Sequence, residues 1–437
     1  MRIHRYIYTL LAIIALASCS SDEELSKVDA IGNDNPMRFG TANAQEGSTI
    51  SRASTLLEAG FKVSAYKSFG DATKQQVVMD GYKVDYNSTT KKWNYVDVDK
   101  GDGKKQIERY WDADGYPYDF RACTPYLTGA SLTNTGITLD LTATDAPTFK
   151  AQTFLEDATT KVGKYNQDEK SSEACLISHV QRKAPTTDAP NDYCDYDLLR
   201  PTDDANYEIN KASKTPTREV HMPFHHLMSK VGFRFFIDDP SVPTYNIHMK
   251  DVTISIVTED ANKFILESKK YTYTNNSNLL EGTFSELTNS TNTHVHDSKC
   301  PSGCTATIEQ PLITKTETYK DDSNNDLNMG EYLNHDHAFD FKCGGDMVQI
   351  PQTNLKIHVK LTLEYNESGT PTIKTFDSYL NVDDTDTDAG QKFTWEPNKH
   401  YVYYLHLKNL EKYPIITCTA ELVPWDIVKT EDIDIGL

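Results

Sequence analysis

The chain is short of positive charge, of long apolar runs and of helical periodicity, and each shortage excludes a class of protein. Its 437 residues carry 44 lysines and arginines against 64 aspartates and glutamates, a formal net charge of −20 at pH 7. Such a surface repels phosphate backbones, which excludes a nucleic-acid partner. A mean hydropathy of −0.58, with a single long apolar stretch, excludes a membrane protein with several spans. No apolar stripe at helical spacing extends beyond about two turns, so the pattern does not favour a helical fold.

Catalytic motifs and a dense cysteine framework are also missing. The sequence contains no G-x-S-x-G, no H-E-x-x-H and no phosphate-binding glycine loop. We therefore predict a protein that is not an enzyme, with no catalytic residues and no cofactor. Apart from Cys19, the cysteines are odd in number and irregular in spacing, so disulfides do not define the fold. The pairs to test first are Cys175 with Cys194 and Cys300 with Cys304.

The chain begins with a secretion signal. Arg2 and Arg5 precede an apolar stretch that is too short to span a bilayer, and the sequence Leu-Ala-Ser-Cys ends it at Cys19. This is the pattern of a signal peptide. The ending resembles the lipobox of bacterial lipoproteins, in which the cysteine is acylated and becomes the first residue of the mature chain. We predict a signal peptide at residues 1–18 and a lipid anchor at Cys19 in the outer membrane, with a plain secretory signal as the alternative.

Apolar and polar residues alternate with period two, which predicts an all-β protein. Phe61, Val63 and Ala65 alternate with polar neighbours, and Asp80-Gly81 between two apolar runs predicts a hairpin turn. The clearest strand has apolar residues at Leu355, Ile357, Val359, Leu361, Leu363 and Tyr365. Such alternation gives one buried and one wet face, which is typical of an antiparallel sandwich.

Changes of pattern along the chain predict two β-sandwich domains. Residues 19–57 are polar, with too little apolar content to fold alone, and are predicted to be a flexible tether. Prolines interrupt residues 181–218, which we interpret as a long connection. The predicted domains are therefore residues 58–218 and residues 219–437. Within the second domain, residues 286–345 look rich in loops.

Several motifs then follow one another in a family-specific order. They are the lipobox at Cys19, Ile50-Ser51-Arg52-Ala53 followed by FKVSAY, YDFRACTPY at 118–126, FHHLMSKVGFRFFI at 224–237, and EPNKHYVYYLHL with TCTAELVPWDIV near the end. Together they resemble the fimbrillin family, the Mfa-like and Fim-like pilins of type V pili, over nearly the whole chain. The resemblance implies two transthyretin-like antiparallel β-sandwiches. It also implies a stalk, accessory or tip subunit of fimbriae on the cell surface.

The resemblance also implies a mechanism of assembly. In the family, an Arg-specific surface protease cuts after an arginine and removes the first strand, and a strand of a neighbouring subunit fills the groove by donor-strand exchange. In this sequence the cut is expected after Arg52, in the polar run GSTISRAS. The implied partners are other fimbrillin subunits, the protease, and the outer membrane through the lipid anchor.

The candidate donor strand lies in residues 415–437. Its predicted inward-facing residues are Cys418, Leu422, Val423, Trp425 and Ile427. The phase of this set changes at Val423-Pro424, which predicts a bulge or a hand-over between two strand segments. Proline also suits an edge or an exchanged strand. The alternative is that this segment completes its own sheet and that Arg52 is an ordinary linker residue.

Histidines and cysteines cluster in one polar loop. His294, His296, Cys300 and Cys304 offer the imidazole and thiolate ligands that zinc or copper prefers. Their spacing matches no established zinc finger, and an oxidising compartment favours a Cys300–Cys304 disulfide instead. We therefore predict no metal site.

Aromatic content supports an alternative function. The chain has 25 tyrosines and 4 tryptophans, and aromatic rings stack on sugars. The protein would then be a surface lipoprotein that binds glycans, or another host or bacterial surface ligand, without polymerising. β-Sandwiches bury aromatic residues in any case, and Trp93 and Trp111 lie in strand-like sequence, so we favour a structural role for the aromatic residues over glycan binding.

Overall fold

The computed structural model gives the fold as all β, which confirms the predicted class. It describes residues 37, 39, 60–87, 89–90, 92–112, 114–141, 148–156, 163–165, 175–184, 193–199, 208–213, 220, 222–237, 246–258, 264–274, 282–289, 308–316, 318–321, 323–341, 346–367, 370–380, 392–408 and 415–424. The helical elements in these ranges are the short 3-10 helices Ala72–Lys74, Met329–Glu331 and His335–His337. Within the same ranges, no helix has the length and apolar character needed to span a bilayer.

The strands follow one another along the whole described chain. In the first half they are β1 (Phe61–Lys67), β2 (Gln76–Asn87), β3 (Lys92–Asn94), β4 (Tyr118–Thr124), β5 (Ala130–Thr133), β6 (Gly136–Asp140), β7 (Phe149–Lys150), β8 (Phe154–Glu156), β9 (Gly163–Tyr165), β10 (Leu176–Lys183), β11 (Tyr193–Asp197), β12 (Glu208–Ser213) and β13 (His225–His226). In the second half they are β14 (Ser229–Ile237), β15 (Ile247–Thr258), β16 (Ile265–Thr274), β17 (Thr283–Asn289), β18 (Ile308–Lys315), β19 (Phe339–Asp340), β20 (Met347–Gln349), β21 (Gln352–Glu367), β22 (Thr370–Tyr379), β23 (Phe393–Trp395), β24 (Lys399–Lys408) and β25 (Ile415–Pro424).

An eight-stranded antiparallel sheet organises the first half of the chain. Its strand order is β12-β11-β10-β4-β1-β2-β3, with β13 paired to β10. Both faces of the sheet contribute to an apolar core, and alternate residues of a strand point to opposite faces. In β4, Tyr118, Phe120 and Ala122 belong to the core on one face. Cys123 belongs to a second core on the other face.

A two-sheet sandwich dominates the second half. One sheet has the order β19-β14-β24-β25 with β20 on β14, and the other has the order β22-β21-β15-β18-β8-β9 with β23 on β21. Their facing side chains form one core, to which β14, β15, β21 and β24 contribute Phe233, Ile254, Ile357 and Leu405. The predicted buried face of β21 is confirmed, since its six apolar residues from Leu355 to Tyr365 are each at most 2% exposed. The opposite face is not wet throughout, because Lys356 and His358 on it are also buried.

A fourth sheet joins the two halves. Its order is β17-β16-β6-β5, with β7 on β16, so strands of both halves pair directly. Tyr271 of β16 lies opposite Leu139 of β6, and both belong to the second core of the eight-stranded sheet. A strand of the first half also joins a sheet of the second half, since β8 pairs in parallel with β18. Strands on the two sides of the predicted boundary at residues 218–219 therefore pair with each other in shared sheets.

The hairpin predicted at Asp80-Gly81 is wrong. Strand β2 continues through both residues, and β1 pairs with it on either side, Val63 opposite Tyr82 and Ala65 opposite Met79. The extra residue forms a bulge, which Gly81 permits because its φ of +59° lies in the left-handed region.

Two stretches predicted as irregular also contain strands. Residues 181–218 include β11 and β12 of the eight-stranded sheet, and β18 lies inside the stretch 286–345. Strand β18 contains Pro311, which weakens its local strand pattern. The register with β15 shifts where Pro311 lies opposite Ser255, and a bulge of this kind accommodates proline.

Candidate assembly site

Two residues near the N-terminus are built into the first core of the eight-stranded sheet. Met37 is 0% exposed and Phe39 is 2% exposed. The ring of Phe39 lies edge-on to the rings of Phe61, Tyr95 and Phe120, with centroids 5.8, 5.9 and 6.2 Å away. Edge-to-face pairs at these distances are favourable. Both residues are therefore packed parts of this domain.

The backbone of the same segment pairs with its surroundings. The Met37 N–H donates to the Arg109 carbonyl oxygen over 2.7 Å, and the Tyr95 hydroxyl donates to the Met37 carbonyl oxygen over 2.9 Å. Phe39 forms a parallel bridge with Val220. The segment therefore occupies a strand-like slot. We call the groove that receives Met37 and Phe39 the N-terminal slot. It is lined by Phe61, Tyr95, Arg109, Phe120 and Val220.

The prediction of a flexible tether over residues 19–57 is wrong at Met37 and Phe39. The segment has too few apolar residues to form a core of its own, but the eight-stranded sheet supplies the apolar surface that they need. Burial of each such side chain stabilises by about 1.5–3 kcal/mol. The predicted lipidation site Cys19 and cleavage site Arg52 lie outside the described residues and stay predictions.

The other predicted element of assembly, the C-terminal strand, forms the edge of a sheet. Strand β25 pairs antiparallel with β24 from Ile415 opposite Lys408 to Pro424 opposite Lys399. It ends the strand order β19-β14-β24-β25, so β24 is its one neighbour among the described strands. One row of backbone N–H and C=O groups therefore faces away from the sheet, which makes an edge a template for another chain.

The register places the predicted donor residues on this edge strand. Cys418 lies opposite the buried Leu405, and Leu422 and Val423 lie opposite Tyr401 and His400. The register runs to Pro424 without a shift, so the bulge predicted at Val423-Pro424 does not occur there. Proline ends the strand, where its missing N–H breaks no interior ladder. Two further predicted donor residues, Trp425 and Ile427, lie outside the described residues.

The predicted histidine and cysteine cluster is not part of this site. His294, His296, Cys300 and Cys304 all lie outside the described residues, and those described include no group of three or more His, Cys, Asp or Glu side chains suited to a metal.

The first disulfide suggested by the sequence does not form. Cys175 is buried, and it is not bonded to Cys194. The other suggested pair, Cys300 with Cys304, lies outside the described residues.

Comparisons with known proteins give structural neighbours only. No protein-family model matches the chain, and no curated protein matches it. A fimbrial protein from Bacteroides vulgatus is similar with 12% identity over 90% of this chain and 100% of its own, at a TM-score of 0.44. A candidate cell adhesion protein from Bacteroides uniformis has 12% identity over 90% and 98% of the two chains, at 0.29. The tip fimbrial protein Mfa3 from Porphyromonas gingivalis has 9% identity over 84% and 94%, at 0.22.

Proposed function

We propose that this chain is a structural subunit of fimbriae on the cell surface, assembled by exchange of a strand between copies. The observation that carries the proposal is the burial of Met37 and Phe39 in the N-terminal slot. Both residues precede Arg52 in the chain. A cut after Arg52 would therefore separate a packed part of the core from the domain that it completes.

Loss of the segment would leave a defined vacancy. The aromatic rings that contact Phe39 would lose an apolar neighbour, and the Arg109 carbonyl and Val220 backbone would lose their pairing to it. Unpaired backbone groups and exposed apolar walls are both unfavourable in water. A strand from another copy restores both kinds of contact, main-chain hydrogen bonds giving affinity and alternate side chains giving register.

Within the predicted donor range 415–437, we propose as the donor the last part of the chain, residues 425–437, which we call the C-terminal tail. It continues directly from β25, the edge strand at Pro424. The tail contains Ile433-Asp434-Ile435-Gly436, which repeats the apolar, charged, apolar, glycine order of Met37-Arg38-Phe39-Gly40. Alternate apolar residues are what a slot filled by alternate side chains requires. Strand β25, with Cys418, Leu422 and Val423, would hold the base of the tail.

We infer the cellular location from the predicted N-terminal signal. Acylation of Cys19 would carry the precursor to the outer membrane, and an Arg-specific protease at the surface would then cut after Arg52 and separate the domain from the acylated segment 19–52. The proposed partners are therefore further copies or related subunits, the protease and the membrane.

The experiment compares two changes that block assembly at different steps. Arg52→Ala should prevent the cut, and deletion of residues 426–437 should remove the donor. Each variant is expected to stay folded yet give no heat-resistant polymer ladder after protease treatment, in contrast to the wild type.

Arg38→Ala is the matched control, because a cut at Arg38 would leave Phe39 on the domain side. This variant should form ladders like the wild type. Unchanged ladders in both blocking variants would overturn strand exchange.

A further inference from the structure

A polar pocket of ≈ 450 Å³ lies on the eight-stranded sheet and shares no lining residue with the N-terminal slot. Strand β1, the bulge of β2, strand β5 and the loop after β3 surround it, and Lys62, Asp80, Lys100, Asp102 and Ser131 are among its lining residues. Pockets that hold small molecules have volumes of about 300–1,000 Å³. We call this site the bulge pocket.

The bulge of β2 forms part of the pocket wall, because Asp80 and Gly81 are among the lining residues. A Cβ atom on Gly81 would lie 2.8 Å from Cε of Lys62, so a larger residue at this position would displace the end of the lysine side chain. The Gly81 N–H donates to the Ser64 hydroxyl over 2.9 Å, which fixes the bulge against β1. Bulges commonly redirect side chains in this way. The Lys62 ammonium is thereby directed to the carbonyl oxygens of Leu127, at 3.2 Å, and Ala130, at 2.6 Å.

Hydrogen-bonding capacity remains on both donors and acceptors of the pocket. An ammonium group has three donors, and the two carbonyl bonds of Lys62 leave it a third. The Lys100 ammonium donates to the Asp80 carbonyl oxygen over 3.3 Å, with Asp102 Oδ2 at 3.9 Å. Within the described residues, the exposed Asp80 carboxylate accepts no hydrogen bond. Ser131 and Thr128 add exposed hydroxyl groups at the rim.

The charges of the pocket balance. Lys62 and Lys100 contribute two positive charges, and Asp80 and Asp102 contribute two negative ones, although the whole chain carries −20. A ligand with a net charge would meet as much repulsion as attraction. An uncharged ligand that both donates and accepts hydrogen bonds would satisfy the two lysines and the two aspartates, since ammonium groups only donate and carboxylates only accept.

We propose that the bulge pocket binds an uncharged saccharide unit. Sugar hydroxyl groups donate to carboxylates and accept from ammonium groups, and one or two hexose rings match the volume. The site would give a fimbrial subunit a contact with surface glycans. It is independent of the N-terminal slot, so binding does not depend on assembly.

Saturation-transfer NMR on the whole mature chain tests the proposal, with maltose, lactose, mannobiose and chitobiose as probes. At least one disaccharide should receive saturation. Lys100→Met and Asp80→Ala should each weaken its binding about tenfold or more, as expected for a lost hydrogen bond to a charged group. Both positions are outside the core, so these variants should stay folded.

Lys74→Met and Asp114→Ala, which change the same residue types outside the pocket, should leave binding unchanged. Sialyllactose should bind no more tightly than lactose. The proposal is overturned if no probe receives saturation, if the pocket variants bind like the wild type, or if the charged sugar binds more tightly.

Discussion

At the scale of a single residue, Phe39 lies where the proposed assembly step would change stability. Its ring contacts Phe61, Tyr95 and Phe120, and its exposed fraction is 2%. Truncation of a buried phenylalanine costs about 3–5 kcal/mol. We therefore expect Phe39→Ala to lower the free energy of unfolding of the uncleaved chain by about 3–5 kcal/mol, measured by urea denaturation.

Phe69→Ala is the control, because Phe69 is 41% exposed. Its cost should stay below about 1 kcal/mol. After the N-terminal segment has been cut away, wild type and Phe39→Ala should unfold at the same urea concentration. Equal losses from both variants, or a difference that survives cleavage, would contradict the packing described for Phe39.

His358 makes the second half sensitive to pH. Its Nδ1 lies 3.1 Å from Glu309 and its Nε2 lies 2.7 Å from Asp377. Burial alone would lower the pKa of His358, but the hydrogen bonds and charges of the two carboxylates outweigh it and raise the pKa above its usual 6.5. Because the pKa of His358 is higher in the folded than in the unfolded protein, protonated His358 stabilises the fold. This contribution is complete at pH values below the pKa of the unfolded state, and it is lost as the pH rises through the pKa of the folded state.

We therefore expect the stability advantage of the wild type over His358→Gln to be largest near pH 6 and to shrink as pH rises above about 6.5. Urea midpoints of both proteins across this range measure the advantage. His337→Gln, at an exposed position outside the network, should show no such trend. An advantage of His358 that grows with pH would reverse the sign and refute the account.

Strand β21 tests the assignment of faces at the scale of an element. Leu361 is 1% exposed in the core, whereas the neighbouring Lys360 pairs with Asp377 over 3.3 Å on the other face. Leu361→Asp should cost about 3–5 kcal/mol, because it buries an unpaired charge. Lys360→Ser should cost less than about 1 kcal/mol, the usual value of a partly exposed ion pair. Similar costs, measured by denaturation, would mean that the faces are wrongly assigned.

Regular strands such as β21 could be predicted because strict alternation of apolar and polar residues over several positions is typical of a strand. The local signals of β2 and β18 failed for a tertiary reason. Gly81 fits a turn or a bulge equally well, and the pairing of β1 across it decides for the bulge. Pro311 is a strand breaker in isolation, yet a register shift opposite Ser255 accommodates it.

The candidate site was only partly predictable. The family resemblance implied a cut at Arg52. The polar composition of residues 19–57 did not reveal that Met37 and Phe39 are core residues. The burial of Met37 and Phe39 depends on residues of strands that are distant in the sequence, so a short sequence window around them cannot show it. Their apolar alternation across Arg38 was the available signal, and it was too short to be decisive.

At the scale of the molecule, the two halves share more than a linker. Strand β16 pairs with β6 across the predicted boundary. Buried polar contacts also join the halves: His179 Nδ1 lies 3.1 Å from the Tyr273 hydroxyl, and His225 lies 2.7 Å from Asp197 and 3.3 Å from the Asn398 amide. Halves joined in this way should not unfold independently.

We therefore expect one cooperative unfolding transition. Trp395→Phe with Trp425→Phe leaves fluorescence reporters in the first half, and Trp93→Phe with Trp111→Phe leaves them in the second. In each double variant, the fluorescence midpoint should coincide with the midpoint of circular dichroism, the usual test for two-state behaviour. Two separated transitions would show that the shared sheet does not couple the halves.

The central claim is that the C-terminal tail of one copy occupies the N-terminal slot of the next. The most direct measurement places one cysteine in the slot, Val220→Cys, and one in the tail, Ile435→Cys, and follows disulfide formation during assembly. After the cut at Arg52, the double variant should give a covalent ladder without reductant, while the uncleaved protein and each single variant give none. A polymer that assembles normally without any such cross-link, including with Ile433→Cys as the alternative tail position, would contradict the account.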